Sequence, residues 1–328
     1  MAQAILVAGG AGYIGAHVCK ALAAAGYTPV TLDDLSAGHA DFVRFGPLVR
    51  ACVSDGEAVA RTIAEYGIVA VIDLAGSIEV GASVSDPLHY YDNNLAKKIR
   101  FLRTLAIGGV RAFVFSSTAA VYGEPQAVPI HESHPCQPKN PYGWSKLMFE
   151  QLLRDFAAAG GPNFMALRYF NAAGASPDGD IGEAHDPETH LIPRACLASL
   201  GRIAPLEIFG NDYDTPDGTA IRDYIHVSDL AAAHVRAVEA LLRGAPSAAY
   251  NLGNGIGTSI GDILQCFARI GHPVPHRFAP RRAGDPTRLV ADASAARAAL
   301  GWAPAHTDIE MIVRSAYQWH QSNPSQAA

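Results

Sequence analysis

The feature that most constrains this chain is the turn Gly9-Gly10-Ala11-Gly12-Tyr13-Ile14-Gly15 between a short apolar run and a helical pattern. Residues 3–8 are apolar and stop at glycine, which predicts a buried strand. Residues 13–26 put Ile14, Val18 and Leu22 on one face, which predicts a helix. Gly9 suits the tight turn, Gly12 lets a phosphate approach the backbone, and Gly15 lets helix and strand pack closely. Tyr13 and Ile14 open the helix, whose first N–H groups would face a dinucleotide pyrophosphate. Asp33 stands eighteen residues after Gly15, at the expected end of the second strand. A carboxylate there accepts ribose hydroxyls and repels a 2′-phosphate, so the expected cofactor is NAD. Asp34 doubles the negative charge.

The rest of the first half alternates. Strands are expected at 28–32, 48–53, 68–74, 110–116 and 164–170, and helices at 57–66, 91–105 and 141–159. Near-continuous apolar strands alternating with helices predict an α/β fold, a doubly wound parallel sheet covered on both faces. After residue 170 the segment 171–188 turns rich in Gly, Pro, Asp and Ser, as at a junction. We therefore expect a cofactor domain over 1–170, with a return of about 220–245, and a smaller α/β substrate lobe over 171–328. Residues 275–286 read as a basic loop, and the tail from residue 322 is expected to be mobile.

With 328 residues, 49% hydrophobic, the chain can bury a large core. A net charge of −6 gives no basic stripe, so no nucleic-acid partner is expected. Nothing reads as a membrane span. Five cysteines, none within thirty residues of another, exclude a CxxC knuckle and a disulfide scaffold. The expectation is reduced thiols in a cytoplasmic protein with no metal site.

The second informative segment is Asn140-Pro141-Tyr142-Gly143-Trp144-Ser145-Lys146. It sets a phenol and an ammonium one helical turn apart. Ser116, Ser117 and Thr118 end the strand before it, where parallel strands line a ligand crevice. A phenol near pKa 10 needs help to act as a base, and a neighbouring ammonium and a positive nicotinamide would both lower it.

These segments, with 90–94, 116–123, 168–171, 208–213, 222–229 and 279–285, resemble the extended short-chain dehydrogenase/reductase family, and within it the UDP-sugar 4-epimerases. The resemblance implies NAD-dependent inversion at C4 of a UDP-sugar, with UDP-glucose and UDP-galactose as the expected pair. C4 would be oxidised to a 4-keto sugar that turns over and is reduced on its other face. Tyr142, Lys146 and Thr118 would be catalytic. Val53, Leu74, Ala75, Gly76, Asn93, Ser116 and Tyr169 would join the glycine turn and Asp33-Asp34 around the cofactor, together with Tyr142 and Lys146. Thr118, Tyr142, Asn171, His190, Leu191, Phe209, Arg222, Arg282, Asp285 and Leu289 would face the UDP-sugar. A homodimer is expected by the same resemblance, through helices 91–105 and 141–159.

Three departures from the family pattern stand out. Ile78 replaces a cofactor-contacting Lys, Ala51-Cys52 replaces Gly-Asp at the adenine edge, and Leu289 occupies a position held by Tyr in some relatives. Nucleotide-sugar dehydratases and decarboxylases carry an acidic residue just after the strand-end Ser/Thr, where this chain has Ala119 and Ala120. A non-catalytic NAD-binding sensor would typically have lost Tyr142 or Lys146. Which sugar is preferred is left open by the sequence.

Overall fold

The computed structural model describes residues 2–282 and 285–323. In chain order its elements are β1 (Ala4–Ala8), α1 (Tyr13–Ala24), β2 (Thr28–Asp33), β3 (Leu48–Arg50), α2 (Gly56–Tyr66), β4 (Ile68–Asp73), α3 (Val80–Ser85), α4 (Pro87–Tyr91), α5 (Lys97–Ile107), β5 (Ala112–Thr118), α6 (Pro141–Ala158), β6 (Asn163–Tyr169), β7 (Asn171–Ala173), α7 (Leu191–Ser199), β8 (Leu206–Phe209), β9 (Ile221–His226), α8 (Val227–Leu242), β10 (Ala248–Leu252), β11 (Gly257–Ser259), α9 (Ile260–Arg269), β12 (His276–Ala279), β13 (Arg288–Leu289), α10 (Ser294–Leu300) and α11 (Ile309–Ser322).

Seven parallel strands form the main sheet in the order β10-β6-β5-β4-β1-β2-β3. Side chains alternate across it as the two-residue strand period requires. Ile5 and Val7 pack with α1 and α8, while Leu6 and Ala8 pack with α2, α5 and α6. Both faces are covered, which is why β1 is buried at every position. Strand order reverses between β1 and β4, so the ligand crevice lies at their carboxyl ends.

The smaller lobe pairs β11-β9-β13, with β7 also on β9, and β12 with β8. Its core joins Ile192, Tyr224, Ile263, Phe267 and Ile312. From the second half of the chain, α8 lies on the main sheet and β10 pairs with β6 as its edge strand.

Three expectations are corrected. Residues 91–105 are not one helix: α4 ends at Tyr91, a π-helical stretch covers Asp92–Ala96, and α5 follows. Residues 276–279 of the expected loop are a strand, because β8 offers a parallel partner from Leu206 to Phe209. Ser322 of the expected mobile tail ends α11, and residues 324–328 lie outside the described residues. Among the described residues no helix is long and apolar enough to cross a membrane.

Candidate active site

The glycine turn is built as its spacing requires. Gly9 has φ +76°, and a Cβ there would lie 2.7 Å from Ala75 N. Leu74 and Ala75 thus run against the turn, beside Gly76, whose own φ is +146°. A Cβ on Gly15 would sit 2.1 Å from Gly9 O, so α1 can pack on its strand only with glycine there. α1 begins at Gly12 without a side-chain cap and without an acid in its first turn. Its leading N–H groups are left for an anion. Tyr13 is buried and donates its hydroxyl to Gly174 O at 2.6 Å, tying the turn to the second lobe.

Asp33 Oδ2 accepts from Ala11 N at 3.0 Å, and Oδ1 from Leu35 N at 2.9 Å. Burial raises its pKa, against the lowering by those two N–H groups. The carboxylate is fixed at the crevice edge with lone pairs to spare. Asp34 is exposed and accepts from Ser36 N. Val53 is buried after β3. The uncapped helix, the open approach at Gly12 and the anchored Asp33 fit a dinucleotide. Ile78, at the departure from the family Lys, is 39% exposed and offers that ligand no charge.

The Asn140-Pro141 pair explains where Tyr142 stands. Asn140 caps α6 by accepting from Gly143 N at 2.8 Å, and Pro141 occupies the first turn, where its missing N–H costs nothing. Gly143 lets the helix press on the turn after Thr118; a Cβ there would be 2.7 Å from Ala120 O. Tyr142 is thereby brought beside the strand end that carries Thr118, whose hydroxyl pulls the phenol's pKa down. Lys146 lies one turn further in, 2% exposed, and donates to Ser116 O at 2.8 Å. Its ammonium is 5.8 Å from the Tyr142 ring centre and 5.1 Å from that of Phe115.

Burial dominates the titration of both groups. It pushes Tyr142 up to about 12, with Thr118 pulling down and Tyr90 pushing further up. It pushes Lys146 down to about 7, helped by the like charge of Lys98 and opposed by Asp73. Lys98 and Asp73 form a fully buried ion pair at 2.7 Å directly behind the site. Without the positive nicotinamide of the expected pair, burial outweighs the lowering influences on the phenol. In a dry pocket the neutral forms of both groups are favoured.

Ser116 and Tyr169 share a hydrogen bond through their hydroxyls. Asn93 donates to Ser77 Oγ at 2.9 Å and accepts from Lys97. The sequence reading missed Asn94. It is buried in the π-helical stretch, accepts from Ser77 N and donates to Ser77 O and to Ser145 Oγ, the neighbour of Lys146. A π-turn at that point was a signal the helical periodicity hid. Glu150 was also missed. Wholly buried, it accepts from Ser117 Oγ at 2.6 Å and from Arg168 Nε and Nη2, which fixes the strand end that carries Thr118.

The remaining candidates gather on the second lobe. Arg222 pairs with Leu289 across β9 and β13, and its guanidinium donates to Pro286 O. The Arg282 guanidinium stacks 3.8 Å from the centre of the Phe209 ring. Asp285 follows, its N–H on Arg282 O at 3.4 Å. Leu289 packs against the small cluster of Val121, Tyr122 and Ile130, so it links the Arg222 strand to the segment after β5. Asn171 opens β7 beside Tyr224. Leu191 opens α7 and packs into the lobe core. His190 is held by Glu183, its Nδ1–H donating to Oε1 at 2.7 Å.

A buried Tyr–Lys pair beside a glycine turn at a sheet crossover, facing an arginine-rich lobe, matches known proteins. Residues 5–253 match the family described as the NAD dependent epimerase/dehydratase family. A UDP-glucose 4-epimerase of Azospirillum brasilense is 52% identical over 320 residues, covering 97% of this chain and 92% of its own. The crystal structure of a UDP-glucose 4-epimerase from Brucella ovis in complex with NAD is 48% identical, covers 96% of this chain and 98% of its own, and has a TM-score of 0.94. A UDP-glucose 4-epimerase from Stenotrophomonas maltophila, solved with NAD and formylated UDP-arabinopyranose, is 38% identical over 99% of this chain and 100% of its own, with a TM-score of 0.95. The chain belongs to the NAD dependent epimerase/dehydratase family.

Proposed function

We propose that this chain is an NAD-dependent UDP-glucose 4-epimerase, interconverting UDP-glucose and UDP-galactose. The observation that carries the reading is a buried Tyr142 with Lys146 one helical turn away, beside the Thr118 end of β5, in a chain whose second lobe carries Arg222 and Arg282. NAD, when bound, supplies the oxidising equivalent at C4 and a positive ring beside the phenol.

The chain's own residues do the rest. Tyr142 Oη takes the proton of the sugar 4-hydroxyl, and Thr118 Oγ1 relays and orients it. Lys146 takes up the proton of the Tyr142 phenol and, as an ammonium that also donates to Ser116 O, holds the phenolate so formed. Arg222 and Arg282 clamp the pyrophosphate of the UDP, bidentate donors matching phosphate oxygens. Phe209 and Asp285 complete that end of the site, with Asn171, His190 and Leu191 at its rim. Anchoring only the nucleotide leaves the 4-keto sugar free to present its other face. No acid stands at Ala119 or Ala120 to drive elimination, which disfavours a dehydratase. We place the cofactor site in residues 1–170 with α8 and β10, and the sugar site mainly in 171–328.

Assembly as a homodimer is supported by apolar groups left bare on neighbouring helices: Leu88, Ile99, Trp144 and Met148 are 79%, 36%, 40% and 42% exposed. The test of function is chromatography of UDP-glucose, UDP-N-acetylglucosamine and UDP-xylose after incubation with purified protein. Interconversion of UDP-glucose with UDP-galactose, with NAD and not NADP released on denaturation, is expected. UDP-glucose recovered unchanged, or NADP as the released species, would refute the reading.

A further inference from the structure

We propose that Glu183, His185, Glu188 and His190 form a site for one divalent transition-metal ion of the zinc class. The segment connects β7 to α7, and its last residue caps that helix. Each of the four side chains offers one ligand atom, and these atoms all lie within 4.8 Å of one another. His185 Nδ1 is 3.2 Å from Glu183 Oε1 and 3.6 Å from Glu188 Oε2, and His190 Nδ1 is 3.6 Å from Glu188 Oε1. A tetrahedral zinc with ligands at about 2.0–2.1 Å needs ligand atoms about 3.3–3.4 Å apart. The 3.2 Å contact is close to that spacing, and the 2.7 Å contact of His190 with Glu183 is well short of it. There a shared proton draws the pair together, and the ion takes that proton's place.

A second observation points to a cation independently. Glu188 Oε2 and His185 Nδ1 are buried atoms without a hydrogen-bond partner. The Glu188 side chain is only 8% exposed, and its bare oxygen faces His185. Buried polar atoms are normally paired, and an ion between these two satisfies both.

The donor set selects the metal. Two imidazoles argue against calcium and magnesium, which take oxygen, and two carboxylates neutralise a divalent charge. Four protein ligands leave no open position, so the site is structural rather than catalytic. It is also pre-shaped: Glu188 Oε1 accepts from the N–H groups of Thr189 and His190, each at 2.8 Å. Trp319 of α11 donates to Glu183 O at 3.0 Å, and the Tyr13 ring packs edge-on to His185 at 6.3 Å. Bound metal would lock the junction where the cofactor turn, α7 and α11 meet.

The test uses tag-free full-length protein stripped by a chelator, then titrated with zinc against a chromophoric chelator. One ion per chain is expected, and Glu188→Gln and His185→Asn should each weaken it at least ~10-fold, as loss of a direct ligand must exceed typical outer-sphere effects. The wild-type melting temperature should rise with zinc, and that of either variant should not. A cobalt titration of the wild type checks the donors without any substitution. Intense four-coordinate visible bands without thiolate charge transfer are expected. No saturable binding at millimolar zinc, a thiolate band, or unchanged affinity in both variants would overturn the proposal.

Discussion

Lys146→Met removes the amine that takes up the phenol's proton beside the proposed base, and its cost can be worked from the geometry. The independent values of about 12 for Tyr142 and about 7 for Lys146 mean that moving the proton from phenol to amine costs about 7 kcal/mol, at 1.36 kcal/mol per tenfold. The ammonium lies 5.8 Å from the centre of the phenol ring, and the attraction of opposite charges at about that separation, at an effective dielectric constant near 20, returns about 3 kcal/mol. The remaining deficit, about 4 kcal/mol, is what one further unit charge at about 4 Å supplies. Without Lys146 the 3 kcal/mol is lost, which is roughly 100-fold in phenolate population. The expected result is a kcat lower by about that factor at neutral pH, with the acid limb of the kcat–pH profile displaced upward by about two pH units. Activity should partly recover at high pH. Initial rates of UDP-galactose conversion across pH, with NAD content measured on the same preparations, provide the assay. A lowered kcat with an unmoved acid limb would refute the electrostatic role. It would leave Lys146 as a positioning group for the ribose.

Tyr142→Phe should lose at least ~100-fold in turnover, the scale of a positioned acid–base group, while NAD still copurifies; near-normal turnover would remove Tyr142 from the chemistry. Leu289→Tyr adds bulk where Leu289 packs on Val121 and Tyr122, and should lower turnover of UDP-N-acetylglucosamine more than that of UDP-glucose, by about 1–3 kcal/mol of discrimination. Equal losses, or a wild type inert to the acetylated sugar, would mean that Leu289 is not the gate. Acid should destabilise the fold in a defined window. Burial lowers His17, His226 and His234 to about 4, so the unfolded chain binds protons that the fold refuses. Stability is whole above about pH 6.5 and falls as pH drops toward 4, by up to about 3 kcal/mol per ring. Urea melts of wild type and His234→Leu at pH 7 and 4.5 read this directly, and an equal pH slope in both proteins would count against it.

What could be read from the sequence was local chemistry with a steric signature. Gly9 and Gly15 announce a backbone that nothing larger fits, as the 2.7 Å and 2.1 Å approaches to a Cβ there show, while Gly12 leaves the approach to the helix start open. Asn140-Pro141 announces a helix start, so the place of Tyr142 followed. What could not be read depends on partners distant in the chain. β12 is four residues long and exists because β8 lies seventy positions earlier. β10 joins β6 after an intervening lobe. Adjacent asparagines gave no sign that Asn94 turns inward while Asn93 bonds Ser77 and Lys97. A cysteine pair is the local signal of a metal site, whereas the ligands proposed here are His-x-x-Glu-x-His with Glu183 two residues before.

The burial of Tyr142 and Lys146 explains why such a site keeps its base silent until it is loaded. In an open, hydrated cleft a lysine at this distance would bias the phenol weakly, because water screens the pair. Here Phe115 and the Lys98–Asp73 pair exclude water behind the lysine, and Tyr90 closes one side of the phenol. That dryness raises Tyr142 and lowers Lys146 in the empty pocket. It also makes each added charge worth several-fold more than in water. Asp73 and Lys98 sharpen the effect in opposite directions. Asp73 favours the lysine cation and Lys98 opposes it, so their ion pair leaves Lys146 balanced near neutrality instead of pinned in either form. A group so balanced responds to the next charge that arrives. On the proposed reading, the proton of Tyr142 becomes mobile when a positive ring and a sugar hydroxyl are both in place.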